Sequence, residues 1–154
     1  MQNQRIESDL LGPLSLDKNC YYGVQTQRAI NNFDLSQNKL NQYPELIHAL
    51  SYVKSACASA NLKQGVLSEE KTKVIKQACE KVLSNEFNQW FAVDMIQGGA
   101  GTSTNMNANE VITNIGLEIL GKEKGEYDYL HPNTDVNMSQ STNDVYPTSV
   151  RLAI

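Results

Sequence analysis

Leu46, Leu50, Val53, Cys57 and Ala60 recur at steps of three or four, a spacing that places them on one face of a helix. Pro44 suits the first helical position and Glu45 its positive end, and Gly65 follows as a C-cap. A second run begins at Ser68, a good N-cap, with Glu69 and Glu70 in the first turn. Its apolar stripe is Val74, Ile75, Ala78, Val82 and Leu83. The short connection predicts two antiparallel helices. A third run, from Asn105 to Leu120, carries Ala108, Val111, Ile112, Ile115 and Ile119 and closes at Gly121. Three amphipathic runs in 154 residues predict a mainly α fold.

The remaining segments read less sharply. Gly12-Pro13 is a turn signal, so the first twenty residues are expected to form an extended arm or small hairpin. Residues 21–33 predict a short helix, weakened by Gly23 and the β-branched Val24 and Thr26. Trp90, with Phe87 and Phe91, is expected in the core, and the polar stretch 122–137 is expected to be a loop. Pro147 fits the first turn of a last helix, in which Val150, Leu152, Ala153 and Ile154 are apolar. That run stops at the chain end without a cap, so the chain is expected to be the N-terminal part of a longer protein.

Composition narrows the function. A net charge of −4 and a pI near 5.1 argue against general nucleic-acid binding and against polybasic docking on a membrane. No apolar run reaches the length of a membrane helix, and the first residues show no signal peptide. Cys20, Cys57 and Cys79 are odd in number and far apart, which predicts reduced thiols in a cytoplasm. Mean hydropathy is −0.44 although only 19% of residues are charged, so neutral side chains supply the polarity. Hydroxyls and amides are therefore the chemistry to search for.

Two places combine a loop, several hydroxyls and a following helix. In Gly98-Gly99-Ala100-Gly101-Thr102-Ser103-Thr104-Asn105 the glycines let backbone N–H groups approach a ligand, and a helix N-terminus favours an anion. No Gly-Lys-[Ser/Thr] follows, so a nucleotide site is not expected. A glycine turn whose hydroxyls only cap the helix accounts for the same residues equally well. Ser141, Thr142 and Asn143 form the second place; one of them is expected to cap the last helix, leaving the others for a ligand. If the two places converge, they offer neutral donors to a small carboxylate, since a polyphosphate would call for nearby Lys and Arg.

Other polar residues are expected to be structural. Asn105, Asn107 and Asn109, at steps of two, cannot share one helix face and are expected in packing networks or a pocket wall. His48 reads as a packed or surface histidine, and Arg28 as a surface or interface ion pair. His131 reads as loop-structural, with ligand contact as the other possibility. Neither histidine has partners at ligand spacing, so no metal is expected, Glu110 notwithstanding.

The run from Gly98 to Ile112 resembles the aspartase/fumarase superfamily. So does His131-Pro132-Asn133 leading through Asn137-Met138-Ser139-Gln140 to Ser141-Thr142-Asn143-Asp144, with Pro147-Thr148 after it. Tyr21-Tyr22-Gly23-Val24-Gln25-Thr26, then Arg28-Ala29 and Asn32-Phe33, is similar to that family's N-terminal segment. Within the superfamily the wording is most similar to aspartate ammonia-lyases. Fumarases usually carry Ser in place of Ala100 and of Thr142, and tend to have Asp in place of Thr134, whereas Gln27 is also found in fumarase-like members.

The resemblance implies a reversible anti elimination of L-aspartate to fumarate and ammonia, with no organic cofactor. It implies that Thr102, Ser141 and Thr142 hold the β-carboxylate and that Asn143 reaches the α-carboxylate or amino group. It places the catalytic base, a serine in a Gly-Ser-Ser loop, beyond Ile154, and implies a homotetramer built on long central helices. Residues 1–140 would then be an N-terminal helical domain, and 141–154 the start of the central one. A fragment of this length is expected to be inactive alone. A fumarase or other superfamily lyase, and a non-enzymatic helical interaction domain, are the alternatives.

Overall fold

A computed structural model describes residues 3–154. Met1 and Gln2, the first residues of the expected arm, lie outside the described residues. The arm is a hairpin: β1 (Gln4–Asp9) pairs antiparallel with β2 (Gly12–Asp17), Asp9 facing Gly12 across the two-residue turn Leu10-Leu11. Five α-helices follow, α1 (Val24–Asn32), α2 (Pro44–Lys63), α3 (Glu69–Val82), α4 (Thr102–Ile119) and α5 (Thr142–Ala153). The mainly α expectation and its hairpin arm are borne out.

α4 is the centre. From Thr104 to Leu117 every residue except the half-buried Met106 is buried, because α1, α2, α3, α5 and the 132–136 turn all pack on it. This explains the asparagines at steps of two: a helix surrounded on all sides buries every face. Asn107 accepts from the Val93 N–H at 3.4 Å and donates to the Trp90 carbonyl at 2.9 Å.

α1 is held from both ends of the chain. Its first four backbone N–H groups have no helical partner. Glu110 of α4 accepts from those of Gly23, Gln25 and Thr26 at 2.8, 2.9 and 3.0 Å, and Glu7 of β1 accepts from that of Val24 at 2.9 Å. Burial pushes the Glu110 carboxyl up, against the pull of the α1 donors. A side chain on Gly23 would collide with Glu7, Glu110 and the Tyr127 hydroxyl. Glu7 in turn accepts from Arg5 at 2.7 Å and from Tyr127 at 3.0 Å. Arg28, read from sequence as a surface or interface ion pair, is paired with Asp9 and joins α1 to the hairpin tip, donating twice to Asp9 and once to the Gly12 carbonyl.

The α2–α3 pair has the expected caps, with Gly65 at φ +71° and Ser68 accepting from the Lys71 N–H. The buried face of α2 departs from the expected stripe. Ile47, Leu50, Ser51, Lys54, Ala58 and Asn61 are buried, whereas Val53 and Cys57 are half-buried and Ala60 is exposed. Counting only apolar residues turned the face away from its polar members. Trp90 is half-buried, its ring edge-on to Tyr22 and tilted against Tyr21, while Phe91 is the core residue of that cluster.

Two further segments differ from expectation. The expected loop 122–137 contains a π-helical turn, Pro132–Val136, pinned where Asp135 accepts from Lys71 at 2.7 Å and from the His131 N–H at 2.8 Å. Pro147 lies in the second turn of α5, not the first, because the helix starts at Thr142. Val145 and Ser149 face inward and seat α5 on α2.

Asp94 closes the 35–96 region, accepting from the Leu35, Ser36 and Ile96 N–H groups, the Ser36 hydroxyl and Lys39. Burial opposes its charge, but these donors hold the carboxyl well below its ordinary 3.8. A depressed carboxyl adds stability above its unfolded pKa of about 4, lost as pH falls through the folded value. Asp94→Asn is therefore expected to be less stable than wild type at neutral pH, with the gap closing in acid. Urea unfolding at pH 7 and pH 3 (roughly one unit below the unfolded value) checks this; an equal gap at both contradicts it.

Candidate functional site

The Gly98–Gly101 turn delivers the chain to α4 in a left-handed conformation, with φ +74° at Gly99 and +85° at Gly101. Gly101 is the N-cap and has no side chain to cap with. Gln97 caps in its place. Its Oε1 accepts from the Thr104 N–H at 2.9 Å, and its Nε2 donates to the Thr104 hydroxyl at 2.9 Å. The first intrahelical bond is Asn105 N–H to the Gly101 carbonyl, so the N–H groups of Thr102 and Ser103 precede the helical ladder. Thr102 itself is exposed.

α5 starts alongside. Ser141 is its N-cap: the Ser141 hydroxyl accepts from the Asn143 N–H at 3.1 Å, and Asp144 accepts in return from the Ser141 N–H at 3.3 Å. A hydroxyl that accepts a cap bond still has its own proton to give. Gly101 abuts Tyr146 of α5 so closely that an added Cβ would collide with the Cγ, Cδ1 and Cδ2 atoms of its ring. Between the two helix starts lies a cavity of about 410 Å³ lined by Gln97, Gly99, Ala100, Gly101, Asn143, Tyr146 and others.

The four expected residues are thus distributed unevenly. Asn143 lines the cavity with the glycine turn. Thr142, half-buried, is joined to α4 through Asn105, whose Nδ2 donates to the Thr142 hydroxyl at 3.2 Å. Ser141 and Thr102 are exposed at their helix starts, and neither lines this cavity. Of the neighbouring hydroxyls, Thr104 is turned inward to Gln97, and Ser103 faces a larger cavity of about 800 Å³ with Arg28, Asp9 and His131. His131 acts within its own loop: its Nδ1 accepts from the Asn133 and Thr134 N–H groups.

Sequence reasoning missed Lys54. It lies beneath the two helix starts, fully buried, and donates to Asn105 Oδ1 at 2.7 Å, Asn137 Oδ1 at 2.9 Å and Gln140 Oε1 at 2.9 Å. Burial pulls its ammonium down to about 7. The signal was present: Leu50, Lys54 and Ala58 are spaced by four, which puts a lysine on the core face. The N-termini of α4 and α5 and the protonated Lys54 contribute positive charge here, opposed at the α5 start by the Asp144 carboxylate. Among the described residues, no three of His, Cys, Asp and Glu converge to hold a metal.

A family described as "Lyase" matches residues 12–154. The chain belongs to the aspartase/fumarase lyase family. An aspartate ammonia-lyase of Pseudomonas aeruginosa is 59% identical over 152 residues, 99% of this chain and 32% of that protein. A crystal structure described as fumarate lyase:delta crystallin, from Brucella melitensis, superposes with a TM-score of 0.95 at 53% identity, covering 97% of this chain and 35% of that one. A class II fumarase from Schistosoma mansoni gives 0.89 at 32% identity, covering 97% and 31%. The chain spans about a third of the length of the curated relatives it matches. No helix among the described residues is long and apolar enough to cross a membrane.

Proposed function

We propose that this chain is the carboxylate-binding part of an aspartate ammonia-lyase, which converts L-aspartate to fumarate and ammonia by reversible anti elimination. The observation that carries this reading is the meeting of the α4 and α5 starts at one cavity, with Thr142 at the α5 start joined to α4 through Asn105. The 59% identity to a named ammonia-lyase supports the substrate.

The hard step is removal of a proton from the carbon beside the β-carboxylate. The electron pair moves into that carboxylate as an aci-carboxylate, then returns to form the double bond as the C–N bond breaks and ammonia leaves. Donors fixed before the reaction lower this barrier because they need not reorganise as charge develops. Thr102, Ser141 and Thr142 supply hydroxyl protons to the β-carboxylate, and Asn143 holds the α-carboxylate or amino group. The base is a serine beyond Ile154. In the assembled enzyme, a homo-oligomer of the cytoplasm, α5 opens the central helical domain and residues 1–140 form the N-terminal one.

The test uses the full-length protein. L-aspartate should release ammonia and fumarate in equal amounts, while malate should give no fumarate at a comparable rate. Malate dehydration without ammonia release would assign a fumarase instead, the reading that the Schistosoma likeness favours. Thr102→Val should lower kcat/KM by about 10²–10³-fold, the usual loss of one oxyanion donor. An unchanged kcat/KM would remove Thr102 from the site.

A further inference from the structure

In its protonated form, which holds below the pKa of about 7 that burial imposes, Lys54 is a buried cation whose three contacts are all neutral amide oxygens. An ammonium has three donors and no acceptor, so each amide must turn its oxygen toward it. That requirement fixes Asn105. With Oδ1 committed to Lys54, Nδ2 must face the other way, where it donates to Asn137 Oδ1 at 3.1 Å and to the Thr142 hydroxyl at 3.2 Å. The Thr142 oxygen accepts there, so its own proton is directed elsewhere.

Asn137 and Gln140 are locked in the same way. Asn137 Nδ2 donates to the Gln140 carbonyl, and Gln140 Nε2 donates to the carbonyls of Val136 and Met138. The Lys54 nitrogen thus joins α2, α4 and the segment leading into α5, alongside the bonds from Asn61 to the Met138 carbonyl and from Asn105 to Asn137. If Lys54 were replaced by an apolar residue, nothing would choose between the two amide orientations of Asn105. In the flipped orientation its oxygen would draw the Thr142 proton inward.

We propose that Lys54 is a positioning residue: through Asn105 it orients the Thr142 hydroxyl so that its proton is donated to the substrate carboxylate. The inference rests on the carboxylate reading of Thr142 given above.

A double-mutant cycle in the full-length protein tests it, read as the inhibition constant of succinate, a dicarboxylate that cannot eliminate. An inhibition constant does not depend on how much of the sample is folded, so loss of folded protein alone would leave it unmoved. Thr142→Val should raise the constant about tenfold, the worth of one hydrogen bond. Lys54→Met should raise it about as much, and Lys54→Met added to Thr142→Val should raise it no further. Should Lys54→Met fail to fold, Asn105→Asp keeps an oxygen for Lys54 and removes the donor to Thr142. It should weaken succinate in the threonine background and not in the valine background. If Thr142→Val raises the constant and the Lys54 or Asn105 variant does not, or acts equally in both backgrounds, the relay is overturned. If Thr142→Val itself has no effect, the carboxylate reading of Thr142 falls, and the inference with it.

Discussion

Replacing Glu110 by Ala is expected to destabilise the protein by roughly 4 kcal/mol or more. The carboxylate accepts three N–H groups at the start of α1, and its loss leaves donors of a buried helix end unpaired. Each unsatisfied buried donor costs about 1–3 kcal/mol, against a total stability of about 5–15 kcal/mol for a typical domain. Glu110→Gln should fall between the two. One amide oxygen can still serve Gly23 and Thr26, but an NH2 would then face the Gln25 N–H. Denaturant midpoints of full-length wild type, Glu110→Gln and Glu110→Ala should decline in that order, with faster amide exchange at 24–26 in the alanine variant. A midpoint for Glu110→Ala within about 1 kcal/mol of wild type, a common size for any substitution, would mean that Glu7 alone suffices as the cap. The effect reaches beyond α1, because Glu7 also joins Arg5 and Tyr127 to the same helix start.

That cap marks where sequence reading stops. Glu110 and Gly23 are 87 positions apart, and no local pattern announces their contact. Where a contact is local, the sequence was informative: Ser68 and Ser141 are recognisable caps, and Gly65 a recognisable helix stop. The stripes of α3 and α4 were legible because their buried positions are largely apolar. The stripe of α2 was displaced because Ser51, Lys54 and Asn61 share the buried face, and polar residues do not count toward an apolar period. The two hydroxyl-rich helix starts were legible one by one as possible donors. Their meeting was implied only by the family resemblance, since it depends on how α4 and α5 pack. The cation beneath them was invisible for a plain reason: a helical lysine is expected in water. The reading of neutral donors at the two helix starts therefore left out the buried lysine, which reaches Thr142 through Asn105.

The packing of α4 against α5 gives Gly101→Ala a large expected effect on turnover. Gly101 has φ +85°, where an L side chain costs about 1–2 kcal/mol. Strain alone would lower stability and leave the site intact. The added methyl, however, would collide with the Tyr146 ring, so the ring or the whole start of α5 must move. Asn143 and Thr142 move with it, and a displacement of about 1 Å can cost about 10²-fold in rate. The expected result in the full-length protein is a loss of kcat/KM of at least that size. Gly121→Ala separates the two causes. Gly121 is also left-handed, at φ +69°, but nothing lies within 4 Å of its added Cβ. It should therefore show the strain and little of the rate loss. Tyr146→Ala added to Gly101→Ala makes room for the methyl and should recover part of the activity of the single Gly101→Ala variant. If Gly121→Ala and Gly101→Ala lose equally, backbone strain is the whole effect, and the close approach of the two helix starts is not what the site requires.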